Sequence, residues 1–193
     1  MAKLYFLFST MNAGKSTTLL QASYNYRERG MTTMLLTAEL DERHGKGRIA
    51  SRIGLGADAI LFSQETNITD LVSIMHQREK IDCVLIDEAQ FLTDDQVWQL
   101  TRIVDDMEIP VMCYGLRTDF QGNLFPGSAR LLAIADNLRE IRTICHCGSK
   151  ATMVIRQDAD GRVINEGAQV EIGGNEKYIS LCRKHWRRTV GYF

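Results

Sequence analysis

Three groups of residues have types and spacings that could do chemistry. The first is Ser9-Thr10-Met11-Asn12-Ala13-Gly14-Lys15-Ser16, lying between an apolar run, Leu4 to Phe8, and a segment of helical composition. A loop in that setting turns main-chain N–H groups and a helix N-terminus toward an anion. A lysine beside a hydroxyl then suits a nucleoside triphosphate, with Lys15 reaching the β- and γ-phosphates and the Ser16 hydroxyl ligating Mg²⁺. Ser9 stands where a P-loop usually has its first glycine. The second group is Asp87-Glu88, which follows the apolar Val84-Leu85-Ile86. A carboxylate at a strand's C-terminal end can meet the Mg²⁺ of a bound nucleotide, so Asp87 is the metal-side candidate. Side chains of adjacent residues diverge, which leaves Glu88 to accept a proton from a hydroxyl or a water. The third comprises the pairs Cys145-His146-Cys147 and Cys182-Arg183-Lys184-His185. Three thiolates and one imidazole, from Cys145, Cys147, Cys182 and His185, fit a tetrahedral structural Zn²⁺ that clips a loop-rich segment together. His146 reads as a bystander.

The elements that must position these groups are legible from periodicity. Leu4 to Phe8 reads as a buried strand and Ser16 to Arg29 as a helix closed by Gly30 at the position after its cap. Thr32 to Thr37 and Ile81 to Ile86 offer further strands, separated by Ile68, Leu71, Val72 and Met75 at helical spacing. Thr93 and Gln96 form a capping box for a helix with inner residues Val97, Leu100, Val104 and Met107, after which Pro110 opens the strand Val111 to Tyr114. Such βα alternation predicts a mostly parallel sheet with helices on both faces. Beyond a strand-like stretch, Leu138 to Ile144, helical period gives way to hairpins and loops, and a boundary near residue 143 separates a core (1–143) from a small lobe (144–193). Ala38 to Ala57, rich in glycine and charge, reads as a mobile surface loop.

Composition narrows the functional classes. The chain has 193 residues, 45% hydrophobic and 24% charged, enough for one full core and an appendage. Lys and Arg number 23 against 24 Asp and Glu, which argues against binding nucleic acid through net charge, although Arg183, Lys184, Arg187 and Arg188 cluster locally. Neither a signal peptide nor an apolar run long enough for a membrane span is evident, so a soluble cytoplasmic protein is expected. In that reducing setting five cysteines are ligands or core residues, and Cys83 and Cys113, inside strands, read as small buried hydrophobes. His44 and His76 read as solvated, and Tyr5, Phe6 and Phe8 as core packing.

The run Ser9 to Ser16, the strand ending Asp87-Glu88-Ala89-Gln90-Phe91, the segment Tyr114-Gly115-Leu116-Arg117-Thr118-Asp119-Phe120 and the block Gly173-Gly174-Asn175-Glu176-Lys177-Tyr178 before Cys182 occur in order. Together they closely resemble the type II, cellular-like thymidine kinases of bacteria, over nearly the whole chain. The resemblance implies an α/β, RecA-like P-loop core with a zinc-bearing lasso domain. It also implies transfer of the γ-phosphate of ATP to the 5′-hydroxyl of thymidine, and of deoxyuridine, by a homotetramer under feedback from dTTP. Carried over residue by residue, Glu88 looks like the catalytic base, Asp41 and Arg43 like a pair near the transferred phosphate, and Gln90 like part of the ATP site. Met11, Leu116, Phe120 and Phe125 resemble the wall of a thymine pocket, and Tyr178 the tyrosine that closes over the nucleoside. Gly173 and Gly174, lacking side chains, could bring main-chain groups to the pyrimidine edge. Four cysteines in C-x-x-C pairs are the form in other relatives, where this chain has C-x-C and a terminal histidine. Two other readings remain open: a P-loop ATPase acting on single-stranded nucleic acid, suggested by Asp87-Glu88-Ala89-Gln90, and a zinc-ribbon binding module using the basic tail.

Overall fold

The computed structural model describes residues 1–41, 45–170 and 177–191. Six strands form one all-parallel sheet, in the spatial order β5 (Ile60–Phe62), β2 (Thr33–Ala38), β6 (Cys83–Ile86), β7 (Val111–Leu116), β1 (Leu4–Ser9) and β8 (Asn137–Glu140). Strands buried on both faces need apolar residues at successive positions, and here alternate residues enter two separate clusters. Leu4, Phe6, Val84, Ile86, Val111 and Cys113 face one side. Leu7, Cys83, Leu85 and Tyr114 face the other.

Helices α2 (Ile68–Arg78), α3 (Asp94–Asp105) and α4 (Pro126–Ile134) cover the first face through Val72, Val97, Leu100 and Leu131. The predicted capping box is present, with Thr93 Oγ1 accepting from Gln96 N and Gln96 Oε1 accepting from Thr93 N. Helix α1 (Lys15–Glu28) covers the second face through Leu19 and Leu20, and Gly30 at φ 74° turns the chain away after the Arg29 cap.

Three local expectations need correction. The segment Ala38 to Ala57 is not a structureless loop: β3 (Arg48–Ala50) and β4 (Gly56–Asp58) pair antiparallel, and Ile49 is buried in the cluster beneath α1. One apolar side chain finding that cluster is enough to fold the hairpin down. The stretch Leu138 to Ile144 is two strands, because β8 extends the large sheet beside β1 whereas β9 (Thr143–Ile144) pairs with β10 (Lys150–Ala151). His76 is half-buried and structural, its Nδ1 accepting from Ile81 N at 3.0 Å and so tying the end of α2 to the approach to β6.

The remaining strands, β11 (Met153–Gln157), β12 (Val163–Ile164) and β13 (Tyr178–Leu181), form a three-stranded antiparallel sheet against the short helix α5 (Arg183–Val190). This small unit has its own apolar cluster around Ile155, Leu181 and Trp186.

Candidate active site and metal centre

Strand β1 delivers the chain at Ser9 into a loop whose last residue, Gly14, has φ +83° and precedes α1. The left-handed turn aims the first N–H groups of α1 out of the C-terminal edge of the sheet, where anions bind in α/β folds. Lys15 is buried, and its ammonium donates to Thr10 O at 2.9 Å, folding the side chain back over the loop that would wrap the phosphates. Ser9 and Thr10 are buried behind the loop, while Met11, Asn12, Ala13, Gly14, Lys15 and Ser16 face the cleft.

One strand, β7, lies between β1 and β6, yet their ends meet across it: Ser16 Oγ donates to Asp87 Oδ2 at 2.7 Å. A hydroxyl and a carboxylate in contact at this cleft, the candidate phosphate cleft, are the donor set that suits Mg²⁺, a hard cation taking oxygen ligands. Burial, and then the charge of the neighbouring Glu88, push the Asp87 carboxyl up to about 7, against smaller opposing effects from Ser16 and Lys15.

Glu88 has φ 52° and ψ 38°, a left-handed conformation costing about 1–2 kcal/mol for a residue with a side chain. That turn separates the directions of the two acids. Asp87 enters the phosphate cleft only, whereas Glu88 lines both that cleft and a neighbouring apolar cavity. Gln90 holds the Glu88 carboxylate: its Nε2 donates to Glu88 Oε2, and its Oε1 accepts from Leu116 N at 2.9 Å. Gln90 therefore stands on the wall of the apolar cavity and not in the phosphate cleft.

Met11, Leu116, Phe120, Phe125 and Tyr178, predicted apart in sequence, come together around the apolar cavity. Asp41 lines both spaces, as Glu88 and Met11 do. Arg43, Gly173 and Gly174 lie outside the described residues. Four contributors were not singled out from sequence. Arg48 and Arg52, carried by the β3–β4 hairpin and its turn, line the phosphate cleft and add positive charge opposite Lys15. Gln169 lines the apolar cavity and donates to Asp119 Oδ2 at 2.9 Å. Ser180 on β13 donates to Met11 O at 2.6 Å and accepts from Thr10 Oγ1 at 3.0 Å, docking the small sheet on the phosphate loop. The pair of arginines in Arg48-Ile49-Ala50-Ser51-Arg52 was the available signal for the first two; Gln169 and Ser180 carried none.

In the small unit, Cys145, Cys147, Cys182 and His185 place one ligand atom each within 4.8 Å of one another. Sγ of Cys182 and of Cys145 lie 3.3 and 3.5 Å from His185 Nδ1, and Cys147 Sγ lies 3.9 Å from Cys182 Sγ. Tetrahedral Zn²⁺ with Zn–S of about 2.3 Å and Zn–N of about 2.05 Å has ligand atoms about 3.6–3.8 Å apart, so the four side chains fit that ion. The same separations are far from an S–S bond, and all five cysteines are free thiols. His146 lies tilted against the His185 ring, centroids 4.4 Å apart, and is not one of the four. Cys83 and Cys113 are buried in the core as expected.

Residues 2–186 match the family model described as "Thymidine kinase". Proteins named thymidine kinase from Ruegeria pomeroyi and Jannaschia sp. are 65% and 64% identical to the chain, each over 99% of it and over 96% and 98% of their own lengths. One of that name from Agrobacterium fabrum is 62% identical over 98% of both chains.

Proposed function

The chain belongs to the thymidine kinase family, and on that premise we propose that it transfers the γ-phosphoryl group of ATP to the 5′-hydroxyl of thymidine, giving dTMP and ADP. The observation that carries this reading is the meeting of a cationic phosphate cleft and an apolar cavity along a shared border of Met11, Asp41 and Glu88, of which Glu88 stands beside Asp87. A triphosphate laid in the cleft ends beside Glu88, and a nucleoside base in the cavity brings its sugar hydroxyl to the same place.

The 5′-oxygen attacks the γ-phosphorus while its proton passes to the Glu88 carboxylate, and the bond from phosphorus to the β,γ-bridging oxygen breaks to release ADP. Phosphoryl transfer asks mainly for positioning and charge stabilisation. Lys15, Arg48 and Arg52 supply positive charge around the migrating group, and Asp41 with Arg43 is assigned to the neighbourhood of the transferred phosphate on the family resemblance. Ser16 and Asp87 would hold Mg²⁺, which neutralises phosphate charge when bound. Gln90 orients the base by fixing one Glu88 oxygen.

In the apolar cavity Met11, Leu116, Phe120 and Phe125 take the thymine ring and its methyl, with Tyr178 closing over it. One methyl group contributes little discrimination, so deoxyuridine is a weaker second substrate. Gly173 and Gly174 are assigned to the pyrimidine edge. Zn²⁺ held by Cys145, Cys147, Cys182 and His185 is structural, organising residues 144–193 as a lobe over the core of residues 1–143. A homotetramer, restraint by dTTP and a cytoplasmic location complete the proposal on the resemblance. Among the described residues, no helix is long and apolar enough to cross a membrane.

The test is ADP release from Mg-ATP with thymidine, single-stranded DNA or neither. Release only with thymidine supports the reading. Release driven by single-stranded DNA and indifferent to thymidine would replace it with a nucleic-acid-dependent ATPase, and no ADP release under any of the three conditions would leave the zinc unit as a binding module.

A further inference from the structure

Helix α5 begins at the ligand Cys182, carries the ligand His185 in its first turn, and presents Trp186 immediately after it. Trp186 is the helix's buried residue, and its indole Nε1–H donates to two carbonyls at once: Phe120 O at 3.1 Å and Val154 O at 3.0 Å. Both acceptors belong to residues that line the apolar cavity. They reach it from different parts of the molecule, Phe120 from the loop after β7 of the large sheet and Val154 from β11 of the small one. The indole ring also fills the space at Gly122, where an added Cβ would meet it at 3.4 Å. Phe120 is held from its other side by the Arg156 guanidinium, 4.0 Å from the ring centre. A shared donor on two walls of one cavity sets the distance between them. The cysteine and histidine on the same helical turn set where that donor points.

We infer that Trp186 is a positioning residue for nucleoside binding: its indole N–H clamps the Phe120 and Val154 walls together, so that the width of the nucleoside cavity is set from the metal centre. The inference rests on the reading of that cavity as the thymidine site. Among the described residues that line the phosphate cleft, none is Phe120, Val154 or Trp186, so the clamp acts on thymidine affinity and not on the chemical step.

Trp186→Phe keeps an apolar ring in the cluster and removes the shared donor. In the zinc-loaded full chain, the thymidine KM is expected to rise about 3–30-fold, because a part of the loss of a buried hydrogen-bond donor falls on the thymidine-bound form. The expected kcat stays within about twofold, with the KM for ATP and the zinc content at wild-type values. An unchanged thymidine KM overturns the inference. A second measurement stands even if that variant folds poorly. The chain has two tryptophans, so Trp98→Phe, at an exposed position, leaves Trp186 as the sole indole N–H signal. That proton is expected to exchange slowly with solvent and to exchange more slowly still with thymidine, while a non-hydrolysable ATP analogue leaves it unchanged. Exchange indifferent to thymidine overturns the clamp. Wild-type turnover is measured alongside: no thymidine phosphorylation there would defeat the kinase reading itself, whereas normal wild-type turnover with an unmoved variant KM defeats only the clamp.

Discussion

Replacing Glu88 by glutamine separates its chemistry from its shape. In the wild-type site the Gln90 amide has one orientation, because its Oε1 accepts from Leu116 N and its Nε2 must then face Glu88 Oε2. A glutamine at position 88 must answer that donor with its own oxygen. Its NH₂ group is thereby turned to where the 5′-hydroxyl arrives, and a hydrogen-bond donor replaces the proton acceptor. General-base assistance is typically worth 10²–10⁴-fold, or about 3–5 kcal/mol of barrier at about 1.4 kcal/mol per decade. Turnover should therefore fall by about 10²–10⁴, while the KM values for thymidine and ATP change by no more than about threefold. Glu88→Asp supplies the second arm. Aspartate is more tolerant than most residues of a left-handed backbone, so this variant keeps the φ 52° turn and shortens only the reach. It should lose at least about tenfold in turnover. The assay is steady-state ADP release coupled to direct measurement of dTMP, with thymidine binding measured separately by calorimetry. A Glu88→Gln enzyme that binds thymidine poorly yet turns over normally at saturation would refute the reasoning and leave Glu88 a structural residue.

Lys15→Ala should lower turnover by at least about 10³-fold, since a cation on the migrating phosphoryl group is among the largest catalytic contributions; near-normal turnover would remove the phosphate-loop assignment. Purified chain should hold close to one Zn²⁺ per subunit, and Cys145→Ser should lose it and speed amide exchange in residues 144–191 before the large sheet; a metal-free chain with full activity and an unloosened small unit would contradict the site. If Asp87 is on the metal side of the nucleotide as proposed, nucleotide binding should be pH-dependent. Its folded-state value, near 7, lies above the ordinary 3.8, so the folded chain keeps a proton that the unfolded chain has released, and this group lowers stability as pH rises from about 4 to about 7. Binding of the Mg-nucleotide must expel that proton, so calorimetry in buffers of different ionisation enthalpy should show more proton release at pH 6 than at pH 8. Equal release at both would mean that Asp87 is already ionised in the free protein.

What could be read from sequence was carried by neighbours in the chain. The Ser9–Ser16 loop, Asp87-Glu88 and the two Cys/His pairs each need only a short contiguous pattern, and the fold places them between β1 and α1, at the end of β6 and within reach of one another. The capping box at Thr93 is equally local. Most of the misjudged parts depend on partners far along the chain. Ile49 folds the β3–β4 hairpin because the cluster under α1 has room for it, and no periodicity within residues 38–57 records that cluster. Arg48 and Arg52 reach the cleft as a consequence. The stretch from Leu138 to Ile144 looks continuous, yet Ile141 N makes a last bond to Phe8 O before the chain leaves for a different sheet. His76 looked solvated because its acceptor role toward Ile81 N is set by how α2 ends. Gln90 was grouped with the nucleotide site by family resemblance, and its place between Glu88 and Leu116 N follows from the close approach of β7, where an added Cβ at Gly115 would lie 2.9 Å from Gln90 Oε1.

The central claim is that phosphates and nucleoside occupy two adjoining spaces and meet at Glu88. A crystal structure of the zinc-loaded chain with thymidine and a non-hydrolysable ATP analogue tests it most directly. The account predicts the triphosphate over residues 11–16 and thymine against Phe120. It also predicts the 5′-oxygen within about 2.6–3.2 Å of a Glu88 oxygen and in line with the γ-phosphorus. A nucleoside bound with its 5′-oxygen turned away from Glu88, or seated outside the Phe120 cavity, would contradict it.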